Sequence, residues 1–254
     1  MSLGGSLLPA SAFLEAASRL VLDPVLAALF PSCCASCTLP LLRPTRGPLC
    51  EGCWSRLPRH HSPLCSCGLP LPTAVAPPCG RCRRGLGLIT RGFSLGPYEG
   101  SLRRLVHEFK YRGKRRVAAR LAELLCAEPA IDGILAAGAV LLPVPLHPRR
   151  LAERGFNQSE LLAAAVGKRT GLSVEPRALV RRKDTPPQAG LSAALRRRNM
   201  AGAFAVRKRV CVQGRTVVLV DDVLTTGATA RACATPLRQA GAVAVHILTI
   251  ARVA

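Results

Sequence analysis

Short apolar runs alternate with amphipathic stretches along most of this chain. Runs rich in β-favouring residues, such as 217–220 and 243–251, alternate with segments whose apolar residues recur at helical spacing, such as 101–110. This alternation predicts an α/β fold with a doubly wound, mostly parallel sheet. The predicted strands are 90–98, 139–144, 173–180, 203–206, 217–220 and 243–251, and the predicted helices are 101–110, 117–127, one starting near Asn157 or Ser159, and 230–240.

The first 30 residues are apolar but lack the pattern of a membrane segment. No basic region precedes the apolar run, and Glu15, Arg19 and Asp23 interrupt it before Pro24. We predict one or two amphipathic helices here, without a signal peptide or membrane span, and therefore a cytoplasmic protein. The predicted organisation is an N-terminal helical segment at 1–30, a cysteine-rich module at 31–87 and an α/β domain at 88–254.

Composition adds a strong positive charge to this picture. The 254 residues carry a formal net charge of +22, and aromatic residues make up only 4% of them. Such a field attracts polyanions, which include both phosphorylated metabolites and nucleic acid. The alternative is a surface that is simply rich in arginine, and the few aromatic residues offer little for base stacking. The basic clusters lie at 112–116, 148–150, 181–183, 196–198 and 207–209.

Nine of the twelve cysteines fall between Cys33 and Cys82. Their spacing gives two sets of paired knuckles, in which four thiolates can close a tetrahedral zinc site. The alternative is disulfide bonding, which requires an oxidising compartment that the N-terminus does not indicate. Because 31–87 has little apolar periodicity, zinc would supply the folding energy of this double zinc-ribbon module. The first predicted site is Cys34, Cys37, Cys50 and Cys53, and the second, with a shortened C-x-C knuckle, is Cys65, Cys67, Cys79 and Cys82.

The stretch VVLVDDVLTTGATA at 217–230 carries the candidate chemistry. An apolar strand leads into Asp221 and Asp222, and a loop containing Gly227 leads into a helix. A glycine permits close approach of a ligand and a helix N-terminus favours an anion, so a phosphate fits this loop. The two carboxylates could hold the hydroxyls of a ribose, directly or through Mg²⁺. The alternative is an ordinary strand-to-helix turn capped by Asp and Thr, whereas a P-loop is excluded because no lysine follows the glycine.

These residues resemble the signature for phosphoribosyl pyrophosphate, PRPP, in type I phosphoribosyltransferases. In that class the loop after the first core strand receives the pyrophosphate, and the basic loop after 139–144 matches it in order and chemistry. Two prolines, a glycine and several arginines in 183–200 predict a mobile segment that closes over the site. An exposed proline-rich turn and a surface linker are the alternatives for these two segments. The implied PRPP contacts are Asp221, Asp222, Thr225, Thr226, Gly227, Ala228 and Thr229, the pyrophosphate-facing residues are His147, Arg149, Arg150 and Arg154, and the mobile-loop residues are Arg196, Arg197, Arg198 and Asn199.

Longer stretches are similar to the ComF family, bacterial phosphoribosyltransferase-like proteins associated with competence and DNA uptake. The matching stretches are FPSCCASC (30–37), CGLPLP (67–72), FKYRG (109–113), PVPLHPRRLAERGFNQSELL (143–162), DTPPQAGLSAALRRRNMAGAF (184–204) and VVLVDDVLTTGATA. The departure from the family pattern is the shortened knuckle of the second cysteine group. The resemblance implies a PRPP site that uses Mg²⁺ and needs no nucleophilic side chain.

Two functions from different classes are consistent with this site. The first is catalysis, in which phosphoribose is transferred to a nitrogen acceptor and pyrophosphate is released. The second is a non-catalytic protein that binds PRPP or a nucleotide in the site and single-stranded DNA on its basic surface. For the second function, the resemblance implies a helicase-type competence protein as a partner.

Overall fold

A computed structural model describes residues 23–73, 79–83, 88–112, 115–184 and 198–253. Contacts divide the chain into two compact units, Met1–Arg56 and Leu57–Ala254. This division falls between the two cysteine groups, and the single cysteine-rich module over 31–87 stays a prediction. The segment that carries the second group hydrogen-bonds to the backbone of β1 in the larger unit.

The smaller unit is built around its cysteines and a few apolar side chains. Residues 23–29 are helical (α1), and a 3₁₀ turn, Pro44–Arg46, precedes the short helix α2, Glu51–Ser55. The Asp23 carboxylate accepts hydrogen bonds from the backbone N–H and the hydroxyl of Thr45, at 3.2 and 2.6 Å. Between residues 23 and 56, the buried apolar side chains are Cys34, Leu41, Leu49, Cys53 and Trp54. So few buried side chains contribute little burial free energy to this described part.

The larger unit contains, in chain order, α3 Gly80–Arg83, β1 Arg91–Pro97, α4 Gly100–Arg112, α5 Arg115–Cys126, β2 Val140–Pro143, α6 Pro148–Arg154, α7 Gln158–Thr170, β3 Ser173–Val174, β4 Leu179–Arg181, α8 at residues 198–200, β5 Phe204–Val206, β6 Thr216–Leu224, α9 Ala228–Gln239 and β7 Ala244–Arg252. Five strands form a parallel sheet in the order β1-β7-β6-β2-β3. Strands β4 and β5 form a separate antiparallel pair. None of the helices in the described part of the chain is long and apolar enough to cross a membrane.

Helices cover both faces of the sheet. On one face, Val217 and Leu219 of β6 and Val245 of β7 share a buried core with α9 and the β4–β5 pair. Alternate strand residues point to opposite faces, so the remaining apolar positions face the other side. There α7 packs on β2, and Gly167 lies beside the side chain of Leu141. This arrangement confirms the predicted doubly wound, mostly parallel α/β fold.

Several elements differ from their predicted bounds. The predicted strand 173–180 is split into β3 and β4, which belong to different sheets. Three further differences change the site. Strand β6 continues to Leu224 instead of ending at residue 220, because its pairing with β7 extends to Arg252. The aspartates at 221 and 222 therefore lie within the strand. Helix α9 begins at Ala228, two residues before its predicted start. The predicted loop after β2 ends in helix α6, whose first residue, Pro148, has the fixed φ that suits a helix start.

Candidate functional site

The carboxyl ends of β2 and β6 mark the point where the chain reverses its direction across the sheet. From β2 the chain moves outward to β3, and from β6 it moves in the opposite direction to β7. Ligands of open α/β sheets bind at such a switch point, beyond the carboxyl ends of the strands. The backbone N–H of Val144 donates to the carbonyl of Val220 at 2.9 Å. The loop after β2 therefore starts beside the two aspartates.

The two aspartates near the end of β6 are held by different neighbours. Asp221 Oδ1 accepts from the Ser159 hydroxyl at 3.0 Å and from the backbone N–H of Asp222 at 2.9 Å. Asp222 Oδ2 accepts from Gln158 Nε2 at 3.1 Å and lies 3.2 Å from Lys110 Nζ. The contacts of Asp221 thus meet its Oδ1, and those of Asp222 meet its Oδ2.

The start of α7 supplies most of the groups that hold this pair. Asn157 caps the helix by accepting from the backbone N–H of Ser159 at 3.0 Å, and its own amide donates to the carbonyl of Val144 at 3.1 Å. The next two side chains, Gln158 and Ser159, contact the aspartates. One capping residue therefore fixes both the start of the helix and the loop after β2.

Burial and neighbouring charges alter the acidity of this pair. Burial, followed by the Asp222 carboxylate, raises the pKa of Asp221 to about 7, although the Lys110 ammonium and hydrogen bonds to the carboxylate oppose the rise. Burial disfavours the charge of Lys110, but the Asp222 carboxylate outweighs it and raises the pKa of Lys110. Paired carboxylate oxygens are the hard ligands that Mg²⁺ prefers, and a bound cation would favour their charged forms. The donor set therefore fits the predicted Mg²⁺.

The loop between β6 and α9 has a backbone suited to an anion. Gly227 caps α9 with a φ of 76° and a ψ of 8°, a left-handed conformation that glycine adopts without strain. The Ala228 backbone N–H donates to the Thr226 hydroxyl at 3.4 Å, and Arg231 Nη2 donates to the Thr226 carbonyl at 3.1 Å. Ala228 and Thr229, which were predicted as loop residues that contact PRPP, lie in the first turn of α9. The loop therefore presents helix N–H groups, threonine hydroxyls and one guanidinium at the same place.

The predicted pyrophosphate-facing residues lie on the loop after β2 and on α6, where Arg149 and Arg150 occupy the first turn. His147 Nδ1 is 3.4 Å from Asp184 Oδ1, and Arg149 Nη1 is 3.6 Å from Asp184 Oδ2. Arg149 Nε also lies 3.1 Å from Glu153 on the same helix. The carboxylate of Asp184 therefore occupies the kind of position that an anionic ligand group would take.

Arg154 belongs to the network around the aspartates instead of to that anion position. Its Nη1 donates to Gln158 Oε1 at 2.6 Å, and its guanidinium carbon lies 5.9 Å from the centroid of the Tyr111 ring. The Gln158 amide is thereby oriented with its N–H group toward Asp222. Arg154 thus contacts a side chain that holds the acidic pair, and its predicted contact with pyrophosphate stays a prediction.

The predicted mobile loop is described only in part. Arg198, which is exposed, and Asn199, which is partly buried, belong to α8. Arg196 and Arg197 lie outside the described residues, so their predicted role stays a prediction.

Sequence reasoning missed several residues that the structure brings to the crevice. Ser159 and Gln158 lie 62 and 64 positions before the aspartates they contact, so no local pattern links them. Lys110 belongs to a basic run that also fits a solvated surface. Two stretches, FKYRG and GFNQS, contain most of these residues and carry the family resemblance. The resemblance did not assign a role to any of the missed residues within them. The missed residues are Lys110, Asn157, Gln158, Ser159 and Arg231.

The first cysteine group brings its four Sγ atoms within 4.8 Å of one another. Cys37 Sγ and Cys50 Sγ are 3.6 Å apart, and the backbone N–H groups of Cys50 and Ser36 donate to Cys34 Sγ at 3.3 and 3.4 Å. Burial opposes ionisation of Cys34, but backbone N–H donors at Cys37, Cys50 and Ser36 lower its pKa to about 6. Four converging sulfurs, one of them with a lowered pKa, are compatible with structural zinc. The four cysteines of this group are Cys34, Cys37, Cys50 and Cys53.

The second cysteine group is equally compact in spite of its shortened knuckle. Its four Sγ atoms also lie within 4.8 Å of one another, with Cys65 and Cys82 at 3.3 Å and Cys67 and Cys79 at 3.5 Å. Burial again opposes ionisation, but the backbone N–H groups of Cys67 and Cys79 lower the pKa of Cys65 to about 6. The missing residue does not prevent the four sulfurs from converging, and this group too is compatible with structural zinc.

Backbone contacts tie the second cysteine group to β1. The Gly92 N–H donates to the Ser66 carbonyl at 2.8 Å, and the His60 N–H donates to the Leu95 carbonyl at 2.8 Å. A Cβ on Gly68 would lie 2.7 Å from the Gly92 carbonyl oxygen, closer than side chains tolerate. The two backbones therefore meet at a point where only glycine fits.

Several curated proteins resemble this chain over most of its length. The DNA utilization protein YhgH of Escherichia coli strain K12 is 37% identical over 227 residues, which cover 87% of this chain and 97% of that protein. The chain belongs to the ComF family. Another ComF relative, competence protein F of Haemophilus influenzae, is 32% identical over 210 residues, or 80% of this chain and 90% of that protein. Competence protein ComFC of Bacillus subtilis is 28% identical over 228 residues, which cover 84% and 87% of the two chains.

Solved structures similar to this ComF chain include a glutamine PRPP amidotransferase from Bacillus subtilis, complexed with ADP and GMP. The two are 27% identical, the TM-score is 0.35, and the match covers 52% of this chain. A structure of the allosteric regulatory enzyme of purine biosynthesis gives 26% identity, a TM-score of 0.34 and the same coverage. The match spans only 25% of each of those chains. No protein-family model matches the chain.

Proposed function

We propose that this ComF protein binds PRPP with Mg²⁺ and transfers the phosphoribosyl group to a nitrogen acceptor, with release of pyrophosphate. The observation that carries the proposal is the aspartate pair at the switch point of the sheet. The carboxylates of Asp221 and Asp222 are held by separate neighbours beside a glycine-capped loop that suits a phosphate. A 5-phosphorylated ribose satisfies both features, because its diol meets the carboxylates and its phosphate meets the loop.

In this proposal each end of PRPP has its own set of contacts. Asp221 and Asp222 accept from the ribose hydroxyls and hold Mg²⁺, and the residues from Thr225 to Thr229 bind the 5-phosphate. Arg231 adds charge beside that loop, since its guanidinium already contacts the Thr226 carbonyl. The pyrophosphate faces His147, Arg149 and Arg150, where it would displace the carboxylate of Asp184.

The chemistry asks the protein for charge stabilisation and positioning. When the C1–O bond breaks, its electron pair leaves with the pyrophosphate and positive charge develops on the ribose. The carboxylates beside the ribose stabilise that charge, and the arginines stabilise the leaving group. Bound Mg²⁺ would neutralise the pyrophosphate oxygens. The acceptor nitrogen then forms the new bond to C1 and loses a proton, so no nucleophilic side chain is involved.

Calorimetric titration of PRPP with Mg²⁺ tests the site directly. Asp221→Asn and Asp222→Asn should each weaken binding by about tenfold or more, because each removes a charged contact to ligand or metal. Asp132→Asn, which removes an exposed carboxylate between α5 and β2, is the matched control and should bind as the wild type does. Equal binding by all four proteins would overturn the assignment of the pair. Catalysis is tested separately by pyrophosphate release in the presence of a panel of nitrogen bases.

A second candidate function rests on the charge of the chain and on the names of its relatives. A net charge of +22 favours a polyanion, and curated relatives are named for DNA utilization and competence. In this alternative the site binds PRPP or a nucleotide without turnover, the basic surface binds single-stranded DNA, and a helicase-type protein is the partner. A gel shift over a range of salt concentrations tests it, since a slope near zero would argue against phosphate contacts.

Compartment and structural metal complete the proposal. All twelve cysteines are free thiols, and eight of them form two groups whose geometry suits zinc. Zinc sites built from reduced cysteines fit a reducing compartment, so a cytoplasmic location is part of the proposal. Elemental analysis should find two zinc ions per chain. A single ion per chain would mean that one of the two cysteine groups does not bind zinc.

A further inference from the structure

Lys110 is the residue of the crevice whose charge the proposed function leaves unused. Its Nζ lies 3.2 Å from Asp222 Oδ2, and its side chain is only 27% exposed, against 8% for that of Asp222. Gln158 Nε2 donates to the same oxygen at 3.1 Å. An oxygen that accepts two such donors has little remaining capacity to coordinate a metal ion.

The lysine is held in this position by the helix that carries it. It lies near the end of α4, where Leu102, Leu105 and Phe109 are at most 1% exposed. The side chain therefore extends from a packed helix instead of from a freely moving loop. The C-terminal end of a helix also favours a positive charge. Lys110 is thus placed, by packing as well as by charge, against the oxygen that a cation would seek.

We propose that Lys110 is a positioning residue that occupies the place of a divalent cation at Asp222, so that metal enters the site only together with a phosphorylated ligand. This inference rests on the proposed function. An ammonium beside Asp222 repels a bare divalent ion and competes with it for the carboxylate. A metal ion that arrives bound to a pyrophosphate group is part of a complex whose net charge is negative. The ammonium then has a new anionic partner and no longer opposes the metal.

A simple structural ion pair is the competing explanation, and metal binding without ligand separates the two. The probe is Mn²⁺, whose free concentration is read by electron paramagnetic resonance in zinc-loaded protein without PRPP. Lys110→Met should bind Mn²⁺ about tenfold more tightly than the wild type, because it removes the competing cation. Lys110→Arg keeps the charge and should bind Mn²⁺ as weakly as the wild type does.

Two controls locate the effect. Lys168→Met removes an exposed lysine from the last turn of α7 and changes net charge by the same amount, so it should leave Mn²⁺ binding unchanged. Adding Asp222→Asn to Lys110→Met should abolish the gain. If Lys110→Met does not fold, as judged by thermal unfolding, Lys110→Gln serves in its place with the same expectation.

The inference is overturned if the folded Lys110 variant binds Mn²⁺ no more tightly than the wild type. It is also overturned if Lys168→Met gains as much Mn²⁺ affinity. The gain would then come from the change in net charge and not from the position of Lys110. PRPP titration into the wild-type protein is a separate measurement. A gain in Mn²⁺ affinity without any PRPP binding would preserve the role of Lys110 while removing the proposed function, and the reverse result would preserve only the function.

Discussion

The first cysteine group lies in the smaller unit, among a few apolar side chains, while the second lies against a strand of the larger one. Both groups bring four sulfurs within the same 4.8 Å. The second is also bound by the Arg252 guanidinium, which donates to the carbonyl of Cys67 from the end of β7. Similar ligand sets therefore have different surroundings.

The difference teaches that ligand spacing does not decide what a metal site stabilises. In the smaller unit, metal would stabilise a segment whose described residues bury few apolar side chains. In the larger unit, metal would fix a segment whose backbone is part of the sheet's own hydrogen bonding. The first site should therefore govern only local folding, and the second should govern the domain that carries the proposed PRPP site.

The largest expected effect comes from removing two cysteines of the second group, and the same change in the first group is the comparison. Cys65→Ser with Cys67→Ser should lower the free energy of unfolding of the larger unit by on the order of 4 kcal/mol, as loss of a structural metal does. Cys34→Ser with Cys37→Ser should leave that unfolding transition unchanged. Denaturant titration followed by circular dichroism, with zinc content measured on each variant, provides the test. Equal losses in both double variants would remove the distinction between the groups.

A smaller effect isolates the contact between the second group and β1. Gly68 has a φ of 80° and Gly138 a φ of 79°, but a Cβ on Gly138 meets nothing within 4 Å. Gly138→Ala should cost only the left-handed conformation, about 1 kcal/mol, whereas Gly68→Ala adds a clash with Gly92 and should cost about 3 kcal/mol. Chemical denaturation of both variants measures the difference. Matching losses would mean that the close approach of the two backbones contributes nothing.

The last prediction concerns how the stability of the larger unit depends on pH. The pKa of Asp221 is raised to about 7 in the fold. Its charge therefore imposes no penalty below the unfolded pKa, near 4, and a full penalty above about pH 7. Asp221→Asn should therefore stabilise the larger unit at pH 8 and leave its stability unchanged at pH 4, without Mg²⁺. Unfolding curves at the two pH values check this, and a benefit independent of pH would contradict it.

Local patterns predicted those parts of the molecule that neighbouring residues determine. The apolar run before Asp221 and the glycine that follows it specify a strand, a tight loop and a helix start within a dozen residues. The alternation of strands and helices likewise predicted the parallel sheet. Cysteine spacing predicted both ligand groups, including the one with a shortened knuckle, because a knuckle is itself a local structure.

The features that the sequence did not predict arise from contacts between segments that are far apart in the chain. The extra length of β6 comes from pairing with β7, and the contact between Lys110 and Asp222 joins two elements that are far apart in the chain. The assignment of the second cysteine group to the larger unit depends on two glycines, Gly68 and Gly92, that meet only after folding. Residue types at these positions are compatible with ordinary loops and surfaces, so their roles emerge only from the three-dimensional arrangement.

Strand β1 is the outermost strand of its sheet, and the segment that leads into the second cysteine group runs along its open side. The hydrogen bonds from His60 to Leu95 and from Gly92 to Ser66 occupy backbone groups that would otherwise be available to another chain. The segment that leads into the second cysteine group therefore pairs with part of the edge of β1. Removing the metal from the second cysteine group should expose unpaired backbone groups along β1. Chelation should therefore yield oligomers before it yields unfolded monomer.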